Sequence, residues 1–423
     1  MKRWRVLFLA ALAAALLAAC GTPKPSTVQI DGVVTNATGV PSAGVRVLIP
    51  GKSVVTTDAD GRFVFEDITT PYTLIVEWDA NKYTIYEGVT RTDPQLSVTT
   101  NTGSFKATIE GEVSGTTTGD KLGLQLVSQS TFNTKLLTAA DTATSYSLEA
   151  TLLKPTATAD LYALEWTTDA DGNALDYVAY GRYPSTLDLA AGATLSNRGF
   201  SLTTIAATHD LAVSTSGPSG LSPSAHFAGI RFADQASLAF PLHAYIKFGP
   251  SGNSYTTRSP NLTDVQMMVG ASYSDGGNLF SFVWESVPAT ATSHSLTAPD
   301  PVTLTAPANG STVSVGSSLG WEGPEGALYT AYLQGDLGLT FITADTSVTL
   351  PDLSPFGVSY GTNDYAWQVD AFRFDGIMAE EVDQVVEPGK PSLFLTFFAT
   401  IFASPPSESG YLVSSPQRTL TVH

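Results

Sequence analysis

The chain has 423 residues, 43% of them hydrophobic but only 14% charged, against about 25% charged in an average soluble protein, which excludes a coiled coil and a charged disordered tail. Asp and Glu number 39 against 21 Lys and Arg, a net charge of -18, and no stretch gathers basic residues as phosphate binding requires, so nucleic acid is excluded as a partner. Thirty-six Gly and 25 Pro among abundant Thr and Ser describe short strands and tight turns, and the expected fold class is all-β.

Lys2, Arg3 and Arg5 precede an apolar run from Val6 to Leu17 that is too short to cross a bilayer core of about 30 Å, as expected of an export signal. It ends in Leu17-Ala18-Ala19-Cys20-Gly21, and Cys20 is the single cysteine of the chain. This sequence resembles the bacterial lipobox, in which the small residues fit the signal peptidase and the thiol accepts diacylglycerol. The resemblance implies a signal peptide over 1–19 and lipidation at Cys20. It also implies a membrane partner reached through that lipid, with several acyl chains giving durable anchoring. Gly21 to Thr27 has the Pro-containing polar composition of a short extended tether, so 20–27 reads as lipidated Cys plus tether. Gly21 lacks the acidic residue associated with inner-membrane retention, so the outer membrane or cell surface is expected in a two-membrane cell. Loss of the signal removes three positive charges, and the acidic mature body is repelled by anionic lipid surfaces.

The mature chain reads as about four β-sandwiches of ordinary size. Over 28–100, the runs Val28 to Val34, Pro41 to Ile49, Thr56 to Phe65 and Tyr72 to Trp78 read as alternating strands joined by Gly and Asp turns, with Asp60-Gly61 the strongest short hairpin signal. Their order resembles the carboxypeptidase regulatory-like domain, a small transthyretin-like sandwich, which implies a non-catalytic folding or binding module. Over 104–203 the plan recurs in diverged form: Ile109-Glu110-Gly111-Glu112-Val113 parallels Ile30-Asp31-Gly32-Val33-Val34, and Leu161 to Trp166 parallels Thr73 to Trp78. Segment 205–298 shows little clean alternation, yet Ala239 to Phe248 and Leu279 to Trp284 have strand chemistry and Ser216 to Ser224 reads as loop, so a third sandwich is expected. In 300–423, Trp321 on an early strand and the Leu353-x-Pro355 then Tyr365 pattern resemble a fibronectin type III or related immunoglobulin-like sandwich with its tyrosine corner. An insertion over 374–410 departs from that family. Its first half is acidic (Glu380, Glu381, Asp383, Glu387) and its second half carries the apolar run Leu393 to Phe402.

Candidate chemistry is sparse. Asp58-Ala59-Asp60-Gly61 and Asp169-Ala170-Asp171-Gly172-Asn173 place Gly too early for an EF-hand-like loop and read as turns in preference to calcium sites. The run from Glu380 to Glu387 reads as a solvated acidic face. The five His lack zinc-site spacing, and no nucleophile elbow, Walker loop or dinucleotide fingerprint is present. No cofactor, metal or catalytic residue is expected. Tyr177, Tyr180 and Tyr183 are candidates to stack on a ligand, and Tyr83 and Tyr86 lie near Trp78. Leu393, Phe394, Phe397, Phe398 and Phe402 are candidates for a partner contact, with a buried strand as the alternative. The expectation is a non-catalytic, lipid-anchored envelope scaffold that binds carbohydrate or protein. An accessory subunit docking through the insertion is the second reading, and a hydrolase with a sequence-distant triad is the third.

Overall fold

Arg62–Ile68 buries Phe63 and Phe65 between exposed neighbours, the period of two that a half-buried strand requires, and a register shift with Asp67 at φ +54 then returns Ile68 to the buried side; the same alternation builds most of the molecule. The structure, a computed structural model, describes residues 27–98, 104–115, 121–128, 131–132, 134–138, 145–170, 174–232, 242–249, 252–375, 381–388 and 409–423.

The first seven strands are β1 (Val28–Asn36), β2 (Arg46–Leu48), β3 (Val55–Thr56), β4 (Arg62–Ile68), β5 (Tyr72–Asp79), β6 (Lys82–Val89) and β7 (Gln95–Val98). They form two layers, β4-β1-β7 and β3-β2-β5-β6, with β1 antiparallel to β4 and parallel to β7. The Asp58 to Gly61 turn does not close a two-stranded hairpin, because β3 pairs with β2 and β4 with β1. The chain crosses between layers there. Asp58 Oδ1 accepts the N–H groups of Asp60 (2.9 Å) and Arg62 (2.8 Å), and Gly61 takes φ +71. The side chain supplies the acceptor that a cross-strand carbonyl would give in a hairpin.

The second group is β8 (Phe105–Ser114), β9 (Lys121–Val127), β10 (Thr131–Phe132), β11 (Thr134–Thr138), β12 (Ser145–Leu152), β13 (Thr156–Thr168), β14 (Ala174–Arg182), β15 (Leu187–Ala190), β16 (Thr194–Leu195), β17 (Phe200–Ser201) and β18 (Thr203–Thr204). The third is β19 (Thr208–Ser216), β20 (Ser222–Phe232), β21 (Leu242–Phe248), β22 (Ser254–Pro260), β23 (Val265–Ser274), β24 (Phe280–Pro288) and β25 (Ser293–Thr297). Both repeat the plan of the first. The opening strand lies between an antiparallel partner and a parallel closing strand, as β12-β8-β16 and β22-β19-β25. The facing layers are β11-β9-β13-β14 and β21-β20-β23-β24.

The fourth group comprises β26 (Thr303–Ala306), β27 (Ser311–Val313), β28 (Ser318–Glu322), β29 (Leu328–Gln334), β30 (Gly338–Thr343), β31 (Ser347–Thr349), β32 (Asn363–Phe374), β33 (Ser409–Ser414) and β34 (Arg418–Val422). One layer is β26-β28-β31. The other fuses with its neighbours: β33 pairs antiparallel with both β32 and β24, and β30 pairs in parallel with β6. One sheet of fourteen strands therefore runs from β21 through the fourth group to β3. Within the insertion, a helical turn at Val382–Val385 lies against β6.

The tandem sandwiches hold four cores. Trp321, Tyr365 and Trp367 are buried in the one behind the fourth group, together with Ile75, Tyr83 and Ile85 from the first. The weak alternation noted over 205–298 has a physical cause: β20 and β23 are buried on both faces, Phe227 and Met268 entering one core while Ile230 and Met267 enter another. Strands covered on both sides lose the polar face that makes them legible.

Candidate functional site

The parallel pairing of β6 with β30 lines up alternate side chains of several strands. Lys82, Thr84 and Tyr86 stand opposite Gly338, Thr340 and Ile342, which stand opposite Gln334, Tyr332 and Thr330 of β29, which stand opposite Ala366, Gln368 and Asp370 of β32. Because successive side chains point to opposite faces, these residues share one face. Tyr83, Ile85, Leu333, Leu339, Phe341, Trp367 and Val369 fill the core on the other. The layer formed by β1 and β7 covers only part of this face. Where that cover ends, a cleft of about 820 Å³ opens, walled by Trp78, Ala37, Ser97, Val98, Val385 and Gln417.

The seam beneath the cleft is fastened from behind. Arg46 donates to Glu77 Oε2 (2.8 Å) and to the Phe356 carbonyl (2.8 Å), with its guanidinium 5.0 Å from the Phe356 ring centre. Tyr83 donates to Glu77 Oε1 (3.1 Å), and burial together with the Glu77 charge pushes its phenol up to about 12. The helical turn that carries Val385 is strapped to the end of β6. Asp383 Oδ1 accepts the N–H groups of Thr90 (2.8 Å) and Arg91 (3.2 Å), and its other oxygen accepts the Thr90 hydroxyl. Gln95 N–H donates to the Val386 carbonyl (2.8 Å).

The cleft is polar along its floor, aromatic at its mouth and acidic at its inner end. Asp370 is only 6% exposed, and desolvation pushes its carboxyl up to about 7. Its hydrogen bond from Gln368 Nε2 is long, at 3.5 Å. Burial, with the nearby Asp370 charge second, raises the Tyr332 phenol, and burial raises that of Tyr86. At the mouth, the half-buried Trp78 carries Lys82 Nζ 5.0 Å from its ring centre, and Lys82 also bonds Asp79 Oδ2 at 2.9 Å. Hydrogen bonds from Lys82 and the Ala80 N–H hold the Asp79 carboxyl below its usual range. A half-buried indole, several amides and hydroxyls, and a desolvated carboxylate suit a ligand with apolar ring faces and many donors. Among the described residues, no three His, Cys, Asp or Glu are gathered as a metal ion requires.

The sequence candidates fall elsewhere or outside the described residues. Tyr177 and Tyr180 lie between the second and third groups. A bulge in β14 opposite Glu165 and Trp166 turns both onto one face despite their odd spacing. Tyr177 is buried, and the Tyr180 ring stacks on Phe232 (5.7 Å) while its hydroxyl donates to Asp264 (2.6 Å). Tyr183 is half-buried and meets Phe200 edge-on at 6.2 Å. Cys20 and its tether up to Ser26, Asp171 to Asn173, Glu380, and Leu393, Phe394, Phe397, Phe398 and Phe402 lie outside the described residues. Of the aromatics grouped near Trp78, Tyr86 does line the cleft and Tyr83 points to the core beneath it. Asp370, Gln368 and Tyr332 were missed. For Gln368 and Asp370 the one signal was polar residues alternating with apolar ones in Trp367-Gln368-Val369-Asp370-Ala371, and Tyr332 stood among the strand residues of Tyr329-Thr330-Ala331-Tyr332-Leu333.

No family model matches the chain, and no curated protein matches it. Solved structures similar to parts of it include the fimbrial anchor protein Mfa2 from Porphyromonas gingivalis, at 10% identity over 43% of this chain and 78% of that one, with TM-score 0.19. The minor pilin GBS52 of Streptococcus agalactiae matches at 10% identity over 42% of this chain and 97% of that one, TM-score 0.19. BcpA, the major pilin subunit of Bacillus cereus, matches at 8% identity over 64% and 98%, TM-score 0.15. At TM-scores this low, nothing about function passes from those proteins to this chain.

Proposed function

We propose that the protein is a non-catalytic binding scaffold of the cell envelope, lipid-anchored through Cys20, that holds carbohydrate in the cleft over the β6–β30 seam. The observation that carries this reading is the cleft itself: about 820 Å³, with Trp78 at the mouth and Thr84, Thr340, Tyr332, Gln334, Gln368 and Asp370 along the floor. Sugar rings offer apolar faces to an indole and hydroxyls to amides and carboxylates. A binding role without hydrolysis fits the carboxylates present. Asp370 lies at one end and Asp336 beyond the other, at least four residues away along the strands, or roughly 13 Å. The plan shared by the first three groups supports the resemblance of residues 28–100 to the carboxypeptidase regulatory-like module, a non-catalytic unit, and extends it as a proposal to 104–203 and 205–298. The two facing layers of 300–423 are compatible with the fibronectin type III resemblance.

A glycan array probed with the mature chain tests the reading. Retention on a defined set of glycans, weakened by at least tenfold in Trp78→Ala, is expected. Silence of the wild-type chain on the array would sink the carbohydrate assignment.

A further inference from the structure

Asp370 raises a question that carbohydrate binding alone does not answer. A carboxylate taken from water without a positive partner is costly, and buried acids are ordinarily paired or fully hydrogen-bonded. Asp370 is 6% exposed and has a single long bond, from Gln368 Nε2 at 3.5 Å. No ion pair to it occurs among the described residues. The cation that lines the cleft, Lys82, stands on β6, three strands from β32, which is at least ~14 Å at ordinary strand spacing. Lys82 is also already engaged by Asp79 and the Trp78 ring. Beside Asp370 the floor offers acceptors and an aromatic ring: Thr330 directly across on β29, the Gln368 amide, and Tyr332 opposite Gln368. That environment matches a protonated primary amine, which donates three hydrogen bonds and is attracted by an aromatic face.

We propose that Asp370 is the receptor for an ammonium group on the ligand, so that the cleft selects glycans bearing a free amino sugar. This rests on the reading of the cleft as a carbohydrate site. A charge-assisted bond to a desolvated carboxylate is roughly twice as strong as a neutral one, so an amine gains more at this end of the cleft than a hydroxyl or an acetamide. The net charge of -18 also concentrates cationic ligands near the surface.

The test uses two probes on one backbone, the β-1,4-linked tetramer of glucosamine and its fully N-acetylated counterpart, titrated into the mature chain at physiological salt. The free amine is expected to bind at least tenfold more tightly. Asp370→Asn keeps the shape but removes the charge, and it should abolish that preference, so that the two tetramers bind alike. Non-specific attraction would survive the variant, because one carboxylate of 39 acidic residues is a minor change in overall charge. Equal binding of both tetramers by wild type overturns the amine assignment and leaves the carbohydrate site standing. Binding of neither overturns both. Equal displacement of the glucosamine tetramer by a lysine tetrapeptide would show that the site reads the ammonium alone, which contradicts the amino-sugar assignment.

Discussion

Replacing Asp370 with Asn should make the protein more stable at alkaline pH and leave it unchanged in acid. Burial moves the carboxyl from its ordinary 3.8 to about 7, so the folded state holds the proton more tightly than the unfolded state does. Stability is therefore fully present below pH 4 and falls as the pH rises towards and through 7, because the unfolded chain releases the proton first. Each pKa unit corresponds to about 1.4 kcal/mol, so the ionised carboxylate costs about 4 kcal/mol above pH 7, reduced where water enters the open cleft. Asn has a similar shape and never ionises. Calorimetric melting of wild type and Asp370→Asn, in steps from pH 4 to pH 9, reads the difference directly. The two should coincide at pH 4, and the variant should melt several degrees higher at pH 8. A difference that is constant across pH, or a variant less stable than wild type at pH 8, would refute the desolvation argument.

Two further outcomes follow from particular residues. A Cβ at Gly410 would overlap the Arg373 carbonyl and the Trp284 ring, on the strand that joins β24 to β32. Gly410→Ala should therefore lower the melting temperature by several degrees, corresponding to about 1–3 kcal/mol of overpacking, and an unchanged melting curve would mean the seam between the third and fourth groups is looser than described. Cys20→Ala should move the protein from the membrane to the soluble fraction of the cell, and continued sedimentation with membranes would contradict lipid anchoring.

What could be read in advance depended on how many faces of a strand meet solvent. Arg62–Ile68 is buried on one face only and announced itself. β20 and β23, buried on both, did not. The Asp60-Gly61 signal identified a real turn but not its consequence, since local turn chemistry is silent about which sheet each flanking strand joins. Trp78 and Tyr86 could be noticed because they sit on adjacent strands. Their partners Tyr332, Gln368 and Asp370 come from strands about 250 residues later in the chain, and only the parallel pairing of Lys82 to Tyr86 with Gly338 to Ile342 brings the two halves together. No local pattern encodes that contact. Tyr177 and Tyr180 were placed by spacing, and a bulge then turned both into the packing between two sandwiches.

The central claim is that ligand sits in the cleft over the β6–β30 seam, and plugging that cleft tests it most directly. Gly338 lines the cleft, and a Cβ there would meet its nearest neighbour, the Lys82 stem, at 3.7 Å, an ordinary contact. Gly338→Trp therefore fits the backbone and projects an indole into the space a sugar would occupy. Glycans retained by the wild-type chain should be lost by this variant, with its melting temperature unchanged. Undiminished retention by the plugged protein would place the ligand elsewhere and contradict the account.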